Sequence, residues 1–298
     1  MDSYGMPIKF PYREITRERA LADYTDLCNE PTKAMTMREV GSKAADIFFQ
    51  ECRKKVSINK WSHYKAWNDS KQRSKIRESA RDLYPDKKIK ELTNATWLAV
   101  MNMRLGAVAQ FKPNIARYIY HTFNAKKVLD FSAGWGGRCL AAMSLNINYT
   151  GIDINTCLKK PYQQMLKTYK TNGRIQMIYK PSENIDYSKI DYDFAFTSPP
   201  YNDLEKYENM KDYKDFNKEF LFPVIKNVYK YLPNNKWFGL NVPESIYKDI
   251  KGVLGPATRK MELKKAKRSG AASGYKEYCY FWLKGNKNNK RKTQKKKK

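Results

Sequence analysis

From Lys127 onward, short apolar runs alternate with amphipathic stretches. The runs "KVLDF", "YTGIDI", "IQMIYK", "YDFAFTS" and "KWFGLNV" have the length and apolar density of buried strands. Between them, "RCLAAMSLN", "LKKPYQQMLKTYK", "FLFPVIKNVYKYL" and "SIYKDIKGVLG" space their apolar residues for helices. Two further strands, in "KMELKKAKR" and "YKEYCYFWLK", close the series, joined by a loop through "SGAASG". Strands alternating with helices predict an α/β fold, a mostly parallel sheet covered on both faces.

The first third has a different texture. Residues 1–35 read as an irregular arm. From Thr36, residues Val40, Ala44, Ile47, Phe48 and Cys52 fall near one helical face. Between Arg53 and Glu91 lie 13 basic and 5 acidic residues, with Trp61, Tyr64 and Trp67 among them and Pro85 as punctuation. This predicts short helices and loops in a basic subdomain. Trp61 and Trp67 either pack a small helical core or stack on bases. "NATWLAVMNMRLGAVAQF" is a second apolar helical region, and Pro113 marks the start of a helix from Asn114 to about Phe123.

Charge adds a partner to this picture. The 298-residue chain is 41% hydrophobic and carries a formal charge of +28. The final "KGNKNNKRKTQKKKK" supplies nine positive charges, leaving +19 on the rest. A body this basic calls for a polyanion, most simply nucleic acid. No run approaches a membrane span, and the N-terminus lacks the apolar core of a secretory signal, so the expected setting is intracellular. The Lys-rich tail fits nuclear import or DNA tethering, leaving nuclear and cytoplasmic placement in a host cell both open. Five scattered cysteines without CxxC spacing argue against a zinc site or a disulfide framework and predict small buried hydrophobes.

Two constellations carry chemistry. In "VLDFSAGWGGR" a strand enters a glycine-rich turn where backbone can approach a ligand without an intruding Cβ. Asp153 closes the second strand about 20 residues beyond, the spacing at which an acid bonds ribose hydroxyls. The turn is not GxGxxG, and it holds Asp130. An acid there repels a pyrophosphate and suits an ammonium group, which together with a nucleoside describes S-adenosylmethionine. The second constellation is "TSPPY", at the carboxyl end of the fourth strand. Pro199 and Pro200 fix the backbone and have no N–H, so the Ser198 and Pro199 carbonyls and the Ser198 hydroxyl present acceptors, which suit an exocyclic amine of a base. Tyr201 can stack on that base.

"DFSAGWGGR", "GIDI" and "TSPPY", in this order, resemble the S-adenosylmethionine-dependent amino-methyltransferases that modify adenine N6 or cytosine N4 in DNA. The likeness is closest to the DNA methylases of large DNA viruses and phages, through "SAGWGGR", "SPPY" and "LE-Y". It covers roughly residues 108–284, and implies a Rossmann-like methyltransferase fold with seven strands, the last antiparallel. By position it places the cofactor's methionine pocket at Asp130, Phe131, Ser132, Ala133, Gly134, Trp135, Gly136 and Arg138. It places Asp153, with Ile154, at the ribose and Ser182 and Glu183 near the adenine, with Phe111 and Pro113 closing over the methionine end. Ser198 to Tyr201 become the catalytic loop. Phe131 stands where many relatives have Pro, and Ser198 where many have Asp or Asn. Families with Ser there have often been read as cytosine-N4 enzymes, and both bases stay open. No recognition domain fits between the glycine turn and "SPPY", so target reading falls to residues 1–107 or to short loops. The implied division is a basic helical region (1–107), a methyltransferase domain (108–284) and a Lys-rich tail (285–298). DNA is the expected partner and RNA the alternative. A non-catalytic nucleic-acid-binding protein on the same scaffold is the third reading.

Overall fold

The computed structural model describes residues 1–36, 38–58, 60–200, 205–206, 213–263 and 277–285. Seven strands form the central sheet: β1 (Lys127–Asp130), β2 (Asn148–Ile152), β3 (Ile175–Ile178), β4 (Phe194–Thr197), β5 (Trp237–Asn241), β6 (Arg259–Leu263) and β7 (Glu277–Leu283). Their order is β3-β2-β1-β4-β5-β7-β6. The first five are mutually parallel, while β7 runs antiparallel to both neighbours, pairing Cys279 with Asn241 of β5 and with Met261 of β6. This is the Rossmann-like methyltransferase fold, an α/β sheet with an antiparallel last strand.

Ten α-helices accompany the sheet among the described residues. One face carries α1 (Arg17–Asn29), α2 (Ser42–Lys55), α6 (Pro113–Thr122), α7 (Gly137–Ser144) and α8 (Lys159–Thr168). Their buried side chains, among them Leu27, Phe49, Tyr120, Leu140 and Met165, form one core with Val128 and Phe196 of the sheet. The other face is covered by α9 (Phe222–Tyr231) and α10 (Glu244–Leu254), through Val224, Val228, Ile246 and Ile250. A third cluster joins Met6 and Phe10 to α3 (His63–Asn68), α4 (Ser70–Leu83) and α5 (Asn94–Leu105). There Trp67 and Trp97 meet edge to face at 5.5 Å. No helix among the described residues is long and apolar enough to cross a membrane.

The structure differs from the sequence expectation at three places here. Residues 1–35 are not an irregular arm throughout, because α1 lies within them. Thr16 caps it, its hydroxyl accepting from Arg19 N (3.3 Å). Its buried face, Ala20, Tyr24 and Leu27, is narrow and sits among charges, so periodicity reads weakly. Helix α2 starts at Ser42 and not at Thr36, because Gly41 takes the left-handed conformation (φ +84°) that ends helical continuity. Finally, Cys52 on α2 and Cys157 form a disulfide, although both were expected as small buried hydrophobes. They are 105 residues apart in sequence, and only the packing of α2 beside the turn after β2 brings them together. Cys139 and Cys279 are buried thiols, and Cys28 is half-buried.

Candidate active site

Parallel strands end on one edge, and the order reverses between β1 and β4, where open α/β sheets leave a crevice. Asp130, Ile152, Thr197 and Asn241 close their strands at that edge. Glu277 joins them from the start of the antiparallel β7. A cavity of about 380 Å³ opens there.

Asp130 does not line this cavity. The sequence sets it against a cofactor ammonium, but the structure turns it inward, fully buried. Its carboxylate accepts from Arg138 Nε, from Tyr149 Oη and from Thr197 Oγ1, each at 2.7 Å, and from Ser132 N at 3.3 Å. Arg138 also donates to the Ser132 carbonyl. One carboxylate thus ties β1, β2, β4 and α7 together behind the glycine turn. Burying it is tolerable because a cation and three further donors satisfy it.

The glycines divide in role. Gly134 (φ +59°) lines the cavity, and a Cβ there would find its nearest neighbour at 3.8 Å. Gly136 (φ +76°) does not line it; a Cβ there would come within 2.4 Å of the Phe49 ring. The sequence assigns this glycine to the ligand, whereas the structure uses it to seat α2. Gly136→Ala is therefore expected to cost about 2–3 kcal/mol, combining αL strain with overpacking. Gly134→Ala should cost about 1 kcal/mol, from strain alone. Urea unfolding of the two variants checks the order, and equal losses would contradict it.

The side chains beside Gly134 carry polarity into the cavity. Asp153 lines it and accepts from Gly134 N (2.8 Å) and Asn155 N (2.9 Å). Burial pushes its carboxyl up to about 6, against the opposing pull of those two N–H groups. Ser182 donates to the Phe131 carbonyl (2.5 Å), fixing the turn that presents Glu183. Glu183 Oε1 accepts from Tyr213 Oη (2.6 Å), while its Oε2 is buried with no partner among the described residues. Gln110 Nε2 is another buried polar atom with no partner among the described residues, and its residue also lines the cavity. Phe131, Ser132, Ala133, Trp135, Arg138, Ile154 and Phe111 all take part in the lining. Pro113 does not; it opens α6 and packs where a Gly41 Cβ would sit.

Across the cavity stand Ser198, Pro199 and Pro200. Ser198 Oγ donates to Asn241 Oδ1 (3.1 Å), and Asn241 Nδ2 donates to the Tyr278 carbonyl (3.0 Å). Asn241 is buried, so the amide is held by β7 and in turn orients the serine. Tyr201 lies outside the described residues, as do most of the loop after it, the basic segment 264–276 and residues 286–298.

No protein-family model matches the chain, and no curated protein matches it in sequence. Among solved structures it is similar to an S-adenosylmethionine-dependent O-methyltransferase from Thermotoga maritima, at 15% identity and TM-score 0.45, over 64% of this chain and 72% of that one. It is similar to a methyltransferase from Pyrococcus furiosus at 17% identity and TM-score 0.43, over 70% of this chain and 99% of that one. A third is the 16S rRNA N2 G1207 methyltransferase of Thermus thermophilus, solved with AdoMet and guanosine, at 13% identity and TM-score 0.40. That match covers 59% of this chain and 43% of the other. The seven-stranded order itself follows from the strand pairings.

Several lining residues escape sequence reasoning. Asn241 was legible in principle, as the polar residue closing a buried strand on the ligand edge. Glu277 needed the antiparallel direction of β7. Gln110, Tyr213 and Phe216 reach the cavity from connecting segments, for which periodicity gives no signal. The assembled cleft is thus lined by Asp153, Ser182 and Glu183 together with Ser198, Pro199 and Pro200.

Proposed function

We propose that this chain is an S-adenosylmethionine-dependent DNA amino-methyltransferase acting on adenine N6 or cytosine N4 of a base flipped out of the duplex. One observation carries the reading: the Ser198–Pro199–Pro200 edge and the Asp153–Glu183 side share a single cavity. The formal charge of +28 supports a nucleic-acid substrate.

The residues present fit the cofactor. Buried polar atoms left unpaired are costly, and Glu183 Oε2 and Gln110 Nε2, without partners among the described residues, offer one acceptor and one donor to a polar ligand. Asp153 would accept from ribose hydroxyls, and Phe131, Trp135 and Ile154 would give it apolar walls. When bound, S-adenosylmethionine supplies a methyl group on a sulfonium, an electrophile open to a neutral amine. Ser198 and Pro199 hold the amine's protons. Their own acceptors meet no competing N–H from Pro199 or Pro200. Because Ser198 gives its hydroxyl hydrogen to Asn241, its lone pairs are oriented by β5 and β7 together. Fixing the amine in this way favours its pyramidal form, and positioning supplies much of the rate.

Asp153 gives this reading a pH signature. Its carboxyl sits at about 6 in the folded chain, above the ordinary Asp value of 3.8. The native state therefore holds its proton more tightly than the unfolded chain, and ionisation costs stability as pH rises from about 4 to 6. Ribose hydroxyls bind the ionised form. Affinity for 5′-methylthioadenosine, which lacks the amino-acid groups of the cofactor, should rise with pH up to about 6 and then level off. Calorimetry across that range checks it, and Asp153→Asn should flatten the profile. An unchanged profile in that variant would remove Asp153 from the ribose site.

Transfer of labelled methyl to duplex DNA, single-stranded DNA and RNA tests the substrate class. Incorporation into DNA is expected. Incorporation into RNA alone would move the substrate to RNA. No incorporation by protein that binds the cofactor would leave a nucleic-acid-binding scaffold.

A further inference from the structure

Away from the cavity, Trp61 and Tyr64 line a shallow groove of about 390 Å³ together with Lys65, Asn68 and Asp69. Their neighbour Trp67 is fully buried against Trp97 and has a packing role. Trp61 and Tyr64 differ: Trp61 is half-buried and Tyr64 is 39% exposed. Trp61 packs against the edge of the third cluster and the Tyr64 ring lies 5.7 Å from that of Phe10, so both rings are anchored to the core while still lining the groove. Lys55 Nζ stands 5.7 Å from the centre of the Tyr64 ring, and Lys55, Lys60 and Lys65 are all exposed. The acid in the groove is otherwise engaged. Asp69 caps α4, its Oδ1 accepting from Gln72 N at 2.8 Å. Asn68 Nδ2 donates to the Tyr64 carbonyl at 2.8 Å, which steadies the turn under the ring.

The groove is also tied to the acceptor loop. Ser57–Ile58 pairs antiparallel with Trp61–Ser62 on one side and with Glu205–Lys206 on the other. The strand carrying Trp61 therefore belongs to the same three-stranded ladder as the chain just beyond Pro200.

We propose that this groove is a stacking site for an unpaired nucleobase of the nucleic-acid substrate. The two rings take the base face, and Lys55, Lys60 and Lys65 take the adjoining phosphates. The inference rests on the nucleic-acid part of the function proposed above and not on methyl transfer. Stacking tolerates any base, because every base has a π face, so the site contributes affinity and placement more than sequence reading.

The test is anisotropy of a short fluorescein-labelled oligothymidylate with the full chain, without cofactor, over a salt titration. Tyr64→Ala should weaken binding about tenfold at every salt concentration, leaving the salt slope unchanged, since a lost stack releases no counterion. Lys65→Ala should instead reduce the slope by about one. Trp61→Phe should keep most of the affinity and lose most of the tryptophan quenching that the oligonucleotide produces in the unaltered chain. Melting curves matching the unaltered chain show that each variant is folded; Tyr64 is exposed and its loss should be tolerated. Unaltered affinity in Tyr64→Ala, a loss that appears only as a changed slope, or undiminished quenching in Trp61→Phe would each overturn the site. If no nucleic acid accepts methyl but Tyr64→Ala still weakens binding, the stacking site stands and the catalytic reading alone falls.

Discussion

Arg138→Met is expected to lower the unfolding free energy by about 3–5 kcal/mol, the cost of leaving a buried charge without its partner. Asp130 is fully enclosed, and the guanidinium supplies two of the contacts to its carboxylate. Methionine fills similar space but donates nothing, so only the Tyr149 and Thr197 hydroxyls and Ser132 N still face the charge. The Ser132 carbonyl loses its donor in the same change, which loosens the turn that carries Gly134. Urea unfolding measures the effect. Adding Asp130→Leu to this variant should recover part of the loss, since removing both charges is far cheaper than removing one. A loss below about 1 kcal/mol, the range of an exposed pair, would show that the Asp130 cluster is not the brace described.

Ser198→Ala is expected to lower kcat about 100-fold while cofactor affinity stays within about twofold, because in the proposed reaction the hydroxyl serves the reacting amine and not the cofactor. The substitution removes one acceptor at the amine and takes the Ser198 hydrogen bond from Asn241 Oδ1. Asn241 keeps its bond to the Tyr278 carbonyl, so the frame of β5 and β7 should survive. Single-turnover rates with calorimetric binding separate the two effects. Parallel losses of rate and cofactor affinity would place Ser198 in the cofactor pocket.

Much of the sheet was legible because each strand is a compact apolar run closed by a turn. The strand ends were legible too, which is why Asp153 and Ser198 could be singled out from order and spacing, whereas Glu183 came only from the family resemblance. What escaped depends on contacts between distant segments. Asp130 carries the same residue type whether it faces a ligand or an arginine eight positions on, and only its contacts with Arg138, Tyr149 and Thr197 show which. Gly136 looks like a ligand glycine until Phe49, far upstream, is seen to fill the space above it. The Cys52–Cys157 bridge has the same origin, as does the entry of Gln110 and Tyr213 into the cavity. Trp61 and Trp67 were indistinguishable in sequence; a difference of six positions on a short helical subdomain leaves one in the core and the other at its edge.

The proposed reaction places a methyl group on an exocyclic amine of DNA. Nucleoside mass spectrometry of duplex DNA, incubated with the chain and isotope-labelled S-adenosylmethionine, tests it most directly. The prediction is labelled N6-methyladenine or N4-methylcytosine, strongly reduced in Ser198→Ala. Finding neither nucleoside, with protein that is folded and binds the cofactor, would contradict it.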